Sequence, residues 1–163
     1  MTKHAIFLNG PIGSGKSTLG IALSRQLAGG FVDGDRHSDA GKPWYCSILQ
    51  TSRSILRAGL EALESGDTVV IAYPLSCANW IYFRRRFTDL GVRPIFVTLR
   101  AALDSIVDET RGRKFSVEEQ RRIREMIAQG YDARSFSDLI VDTDRKSFDE
   151  TLARLVQELR RMM

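Results

Sequence analysis

Residues Gly10-Pro11-Ile12-Gly13-Ser14-Gly15-Lys16-Ser17, followed by Thr18, match the pattern GxxxxGK[ST] in full. Each residue type in it has a physical task. Glycines let a loop curl so that successive backbone N–H groups point inward at an anion. A helix beginning directly behind the loop adds unpaired N–H groups and a favourable dipole. The Lys16 ammonium is spaced to reach the β- and γ-phosphates of a nucleotide, and the Ser17 hydroxyl to ligate Mg²⁺. Gly10, Gly13, Ser14, Gly15, Lys16, Ser17 and Thr18 are therefore the expected triphosphate cradle, with ATP and Mg²⁺ its expected occupants.

Two further clusters could do chemistry beside such a loop. Val32-Asp33-Gly34-Asp35 reads as a polar turn, since Asp and Gly are common there. It reads equally as a working pair of carboxylates. Asp33 would then hold Mg²⁺ or its water, and Asp35 would accept the proton of an attacking hydroxyl. Thr110-Arg111-Gly112-Arg113-Lys114-Phe115 reads as a solvated basic loop or as a cationic lid. In the second reading Gly112 permits the hinge, while Arg111, Arg113 and Lys114 close over the phosphates and exclude water.

The elements around these clusters alternate. Ala5–Leu8 is a short apolar run ending at Asn9-Gly10, which predicts a buried strand. Lys16–Leu27 predicts a helix stopped by Gly29-Gly30. Gly30–Val32, Thr68–Ala72, Pro94–Leu99 and Leu139–Val141 predict four more strands. Helices are predicted over Ser47–Leu63, Asn79–Leu90, Ala101–Glu109, Val117–Gln129 and Ser147–Arg161. Short apolar strands separated by helices imply a parallel sheet covered on both faces, a three-layer α/β/α sandwich. Ligands in such folds sit at the carboxyl ends of the strands. The expectation is one domain over residues 1–163, with a short lid around 110–117.

Composition excludes several classes. The chain has 163 residues and a net charge of +4, with Lys and Arg spread along it. No basic run interleaved with aromatics points to nucleic acid. Cys46 and Cys77 form neither a CxxC pair nor a zinc spacing. They are expected to pack as small apolar groups in a reducing compartment. No leader or membrane-spanning stretch is visible, so the cytoplasm is expected. No Asn-Lys-x-Asp guanine signature occurs. The strand Val69–Ala72 ends without a carboxylate, which disfavours motor and helicase ATPases.

On the phosphate loop, Asp33 and Asp35, Arg111–Lys114 and Val141-Asp142-Thr143-Asp144, the sequence resembles the small-metabolite kinases. That group includes shikimate kinase, gluconate kinase and adenylylsulfate kinase. The likeness covers nearly the whole chain. It implies a five-stranded parallel sheet in the order 2-3-1-4-5, P-loop kinase type. It also implies that Asp33 helps place Mg²⁺, that Asp35 meets the acceptor hydroxyl, and that the loop after Asp142 lies near adenine. Lys16, Asp35, Arg111 and Arg113 are then the expected catalytic residues, and Ser17 and Asp33 the metal-holding ones.

Gluconate kinase is most similar: Asp33-Gly34-Asp35 is followed by His37, and Lys42-Pro43-Trp44 also matches. The stretch from His37 to Lys42 is much shorter than that family's acceptor loop, and Glu109 stands where its lid begins with arginine. Tyr73-Pro74-Leu75-Ser76 replaces the glycine triplet of shikimate kinase. Chloramphenicol phosphotransferase shares the Asn-Gly opening of the loop.

The function this implies is transfer of the ATP γ-phosphate to a hydroxyl of a small metabolite, by a monomer or homodimer. The alternatives are a nucleoside, nucleotide or antibiotic phosphotransferase, or a nucleotide-sensing protein without catalysis. On the acceptor side, Trp44, Tyr45, Tyr73 and Trp80 read as an aromatic wall or as packing. His37 reads as an acceptor ligand or a solvated loop residue. Arg53 and Arg57 read as a grip for a carboxylate or as a solvated helix face, and Arg84-Arg85-Arg86 as surface charge.

Overall fold

The computed structural model describes residues 1–163, with the side chain of Trp44 left out. Strand β1 (Lys3–Asn9) lies at the centre of one sheet. It pairs in parallel with β3 (Thr68–Ala72) on one side and β4 (Val92–Arg100) on the other. Outside these lie β2 (Gly30–Asp33) and β5 (Leu139–Asp142), giving the order β2-β3-β1-β4-β5. This is the architecture and strand order expected from the sequence.

The alternation of side chains along β1 divides the core in two. Ala5 and Phe7 face a cluster with Ile55, Leu63, Phe83 and Phe87. These come from α2 (Trp44–Ala62), with Leu63 at its C-cap, and from α3 (Cys77–Asp89). Ile6 and Leu8 face the opposite cluster, with Leu19, Leu23, Leu155 and Leu159. Those belong to α1 (Lys16–Gln26) and α6 (Phe148–Met162). Both faces of β1 are buried, which is why its sequence is continuously apolar rather than alternating. A third cluster joins Ala101, Ile106, Phe115 and Ile123. It ties α4 (Leu103–Val107) and α5 (Val117–Ala128) to the segment between them.

Three local features differ from the sequence reading. The segment expected as one helix over Ala101–Glu109 ends at Val107, and a 3₁₀ turn follows over Glu109–Arg111. Asp108 makes the break: its backbone is extended and its carboxylate accepts from the Thr110 N–H at 2.9 Å. A second 3₁₀ turn covers Gly34–His37, begun in the same way by Asp33 accepting from the Asp35 N–H at 3.2 Å. Cys46 and Cys77, expected to pack inside, are both exposed. They fall in the first turns of α2 and α3. No described helix is long and apolar enough to cross a membrane.

Candidate active site

The loop between β1 and α1 begins with three turns that only glycine makes without strain. Gly10, Gly13 and Gly15 have φ of 151°, 78° and 95°. Gly15 is the N-cap of α1, so no side chain caps that helix, and its first turn carries no acidic residue. By contrast α3, α5 and α6 each begin with a serine that caps the chain. The amides of α1 therefore remain available for an anion.

Lys16 reaches back over the loop. Its Nζ donates to the carbonyls of Gly10 at 2.9 Å and Pro11 at 2.8 Å. Burial lowers its pKa to about 8, opposed by the charges of Asp35 and Asp33. Ser14 is fully buried and its hydroxyl donates to the Pro11 carbonyl at 2.8 Å, which holds the loop's bend.

Strand register brings the two aspartates alongside. Asp33 is level with Ala72, and Ala72 with Leu8, two residues before the loop. Asp35 lines the same cleft as Gly13, Gly15, Lys16 and Ser17. It remains open to solvent on one side. Partial desolvation still raises its carboxyl pKa; the Lys16 charge opposes that rise and Asp33 reinforces it. Asp33 is tied locally, with Arg36 at 3.7 Å. Gly34 permits the approach of the next loop: a Cβ there would sit 2.6 Å from the Tyr73 ring.

The cleft has a volume of about 970 Å³. Arg111 and Arg113 line its far wall. Arg111 bridges to the carbonyls of Ser105 at 3.3 Å and Thr143 at 3.4 Å. Arg113 pairs with Glu119 at 3.0 Å and lies over the Phe115 ring at 4.5 Å. Lys114 faces Glu109 at 3.9 Å, near the edge of an ion pair.

Asp142 stands apart from this set. Its carboxylate is clamped by Arg100, at 2.7 and 3.3 Å, and flanked by Arg145 at 3.6 Å. Its neighbours Thr143, Asp144, Lys146 and Phe148 line the cleft instead. Thr143 also donates to the Ser14 carbonyl at 3.1 Å, fixing that wall to the phosphate loop. Phe148, half exposed, offers the cleft an aromatic face that the sequence reading did not single out. Its sequence signal was weak, because it reads as one more apolar residue of the amphipathic helix predicted over Ser147–Arg161.

The acceptor side is partly resolved into packing. Trp80 stacks on Phe136 at 5.1 Å and meets Phe96 edge-on, so it belongs to the core. The side chain of Trp44 lies outside the described residues, and Tyr45 is mostly exposed. His37 Nδ1 lies 2.7 Å from Ser54 Oγ, which binds the 3₁₀ turn to α2. Arg53 and Arg57 are exposed on α2, and Arg84–Arg86 on α3.

The donors suit Mg²⁺. Ser17 and the two aspartates offer hard oxygens, and the described residues contain no group of three or more acidic, His or Cys side chains that could cage a metal alone. Mg²⁺ is typically held by one or two carboxylates plus substrate phosphates, with water completing the shell.

Fold and loop together define a protein of the P-loop kinase type. No protein-family model matches the chain. Among curated proteins it is similar to the shikimate kinase of Buchnera aphidicola, 28% identical, with 96% of this chain and 98% of that protein aligned. A sugar kinase from Janibacter superposes with a TM-score of 0.75 at 15% identity, covering 98% and 95% of the two chains. A gluconokinase from Sinorhizobium meliloti gives 0.66 at 20% identity, covering 99% and 98%. The resemblance read from the sequence thus stands: the curated relatives are shikimate kinases, the fold is shared with a gluconokinase, and the activity class is that of an ATP-dependent phosphotransferase acting on a small metabolite.

Proposed function

We propose that residues 1–163 work as one catalytic domain that moves the γ-phosphoryl group of ATP onto a hydroxyl of a small metabolite of the shikimate or gluconate type. One observation carries the reading: a single cleft holds an uncapped helix N-terminus under a buried ammonium and, beside them, a carboxyl of raised pKa.

The amides from Gly13 to Thr18 bind the phosphates. Lys16 exchanges the carbonyls of Gly10 and Pro11 for β- and γ-phosphate oxygens. Ser17 and Asp33 hold Mg²⁺, which neutralises charge on the phosphates when bound. Arg111 and Arg113, on the lid around 110–117, face the transferring group. Asp35 accepts the proton of the acceptor hydroxyl as its oxygen bonds to the γ-phosphorus. The bond from that phosphorus to the bridging oxygen breaks, and ADP leaves with the electron pair. A carboxyl whose pKa is raised by desolvation holds that proton better than an ordinary aspartate would. Positioning and fixed charge supply most of the acceleration.

The test is ADP release with Mg²⁺ and ATP against a panel of shikimate, sugar acids, nucleosides and chloramphenicol. Release should rise with one hydroxylated acceptor. Lys16→Ala should then lower turnover by at least about a hundredfold, the loss of one preorganised charge contact. Tight ATP binding with no acceptor-stimulated release would overturn the proposal in favour of a sensor.

A further inference from the structure

Glu119 sits in the first turn of α5, and each of its two oxygens has a separate partner. Oε2 accepts from the Ser116 N–H at 2.9 Å, while the Ser116 hydroxyl accepts from the Glu119 N–H at 3.1 Å. This reciprocal pair closes the helix start. Oε1 accepts from Arg113 Nη2 at 3.0 Å. Arg113 is thereby held at two points, since its guanidinium also lies over the Phe115 ring. Phe115 is buried against the phosphate loop: a Cβ on Gly13 would lie 2.7 Å from its ring.

A chain of contacts therefore runs from the phosphate loop through Phe115 to Arg113 and on to Glu119. Both ends of the ion pair line the cleft, and the Arg113 charge is felt at Lys16. An arginine on an exposed loop ordinarily samples many rotamers and pays entropy to grip a phosphate. This one is already restrained on the cleft wall.

We infer that Glu119 is a positioning residue: through its ion pair with Arg113 it holds that guanidinium, stacked on Phe115, where the γ-phosphate of the nucleotide will be. The inference rests on the phosphotransferase reading above, and the geometry separates it from simple helix capping. Glutamine at this position keeps the cap, because its side-chain oxygen still accepts from the Ser116 N–H. It loses the charge that fixes Arg113.

The experiment is calorimetric titration of the full chain with Mg²⁺–AMPPNP and, separately, Mg²⁺–ADP. Glu119→Gln should weaken AMPPNP binding by about tenfold, as expected for one charge-assisted hydrogen bond. ADP binding should stay within about twofold, because ADP lacks the group that Arg113 meets. Arg113→Ala should show the same selective loss, and Glu119→Gln should add nothing in that background, as expected for residues acting as one unit. Glu119→Asp, too short to reach both partners, should again weaken AMPPNP selectively. It supplies the reading if the glutamine variant fails to fold. Equal losses for both nucleotides, no loss for either, or additive losses in the double variant would overturn the inference while leaving the enzyme assignment intact. A wild-type chain that binds neither nucleotide would overturn both.

Discussion

Lys16 is a buried cation whose ammonium meets only carbonyl oxygens within its own loop. Removing it from water disfavours the charged form, and its pKa falls to about 8. The sign of the consequence is fixed. Below about pH 8 the free protein presents a charged ammonium to the triphosphate; above it, a neutral amine. Affinity for Mg²⁺–ATP should therefore be level towards neutral pH and decline above that value, by up to about tenfold per pH unit. Titrations across the alkaline range would measure it, with Lys16→Arg as the comparison, because arginine stays charged throughout. An alkaline decline of the same size in the arginine variant would assign the titration to another group. Sequence alone identified this lysine from its spacing. Its depressed pKa was not legible, because that depends on the enclosure supplied by Gly10, Pro11 and the cleft around them.

At the scale of elements, the phosphate loop and the lid segment meet through Gly13. Its φ is 78°, and a Cβ there would fall 2.6 Å from Ile106 Cγ2 and 2.7 Å from the Phe115 ring. Gly13→Ala should therefore strain the backbone and push the base of the lid off the loop together. The expected outcome is loss of measurable Mg²⁺–ATP binding while the far-ultraviolet circular dichroism stays native, since the two clusters that flank the sheet contain neither Ile106 nor Phe115, the neighbours of Gly13. An alanine variant that binds ATP normally would show that this contact is dispensable. Strands and helices were legible because their apolar runs are short and glycine-bounded, as at Ala5–Leu8 and Thr68–Ala72. The break at Asp108 and the turn at Gly34–His37 were not, because each depends on one aspartate side chain turning back to a backbone N–H. For Asp142 the motif marked a loop whose Thr143 and Asp144 line the cleft, yet its own carboxylate is engaged by Arg100, an ion pair between neighbouring strands far apart in sequence.

Across the whole molecule, the carboxyl end of the sheet is held together by one buried amide. Asn9 ends β1 and is fully enclosed. Its Nδ2 donates to Thr98 Oγ1 at 3.0 Å and to the Tyr131 carbonyl at 3.2 Å, and its Oδ1 accepts from the Leu75 N–H at 2.6 Å. Those partners lie on β4, on the chain leaving α5, and on the loop after β3. Arg134 reinforces the same junction by donating to the Leu75 carbonyl at 3.1 Å. The sequence showed Asn9 only as half of an Asn-Gly turn signal, since contacts separated by up to 122 residues leave no local pattern. Asn9→Ala would leave the Leu75 N–H and the Tyr131 carbonyl without this partner, and would take one of two partners from Thr98 Oγ1, which also meets Ser137 Oγ. Leaving buried polar groups unpaired costs about 1–3 kcal/mol each before relaxation, so a net loss of about 2–4 kcal/mol is expected. Urea unfolding should report it as a lower midpoint with an unchanged slope, because the surface exposed on unfolding is the same. A loss below about 0.5 kcal/mol, the range of an ordinary surface substitution, would mean the three elements are held by their apolar contacts alone.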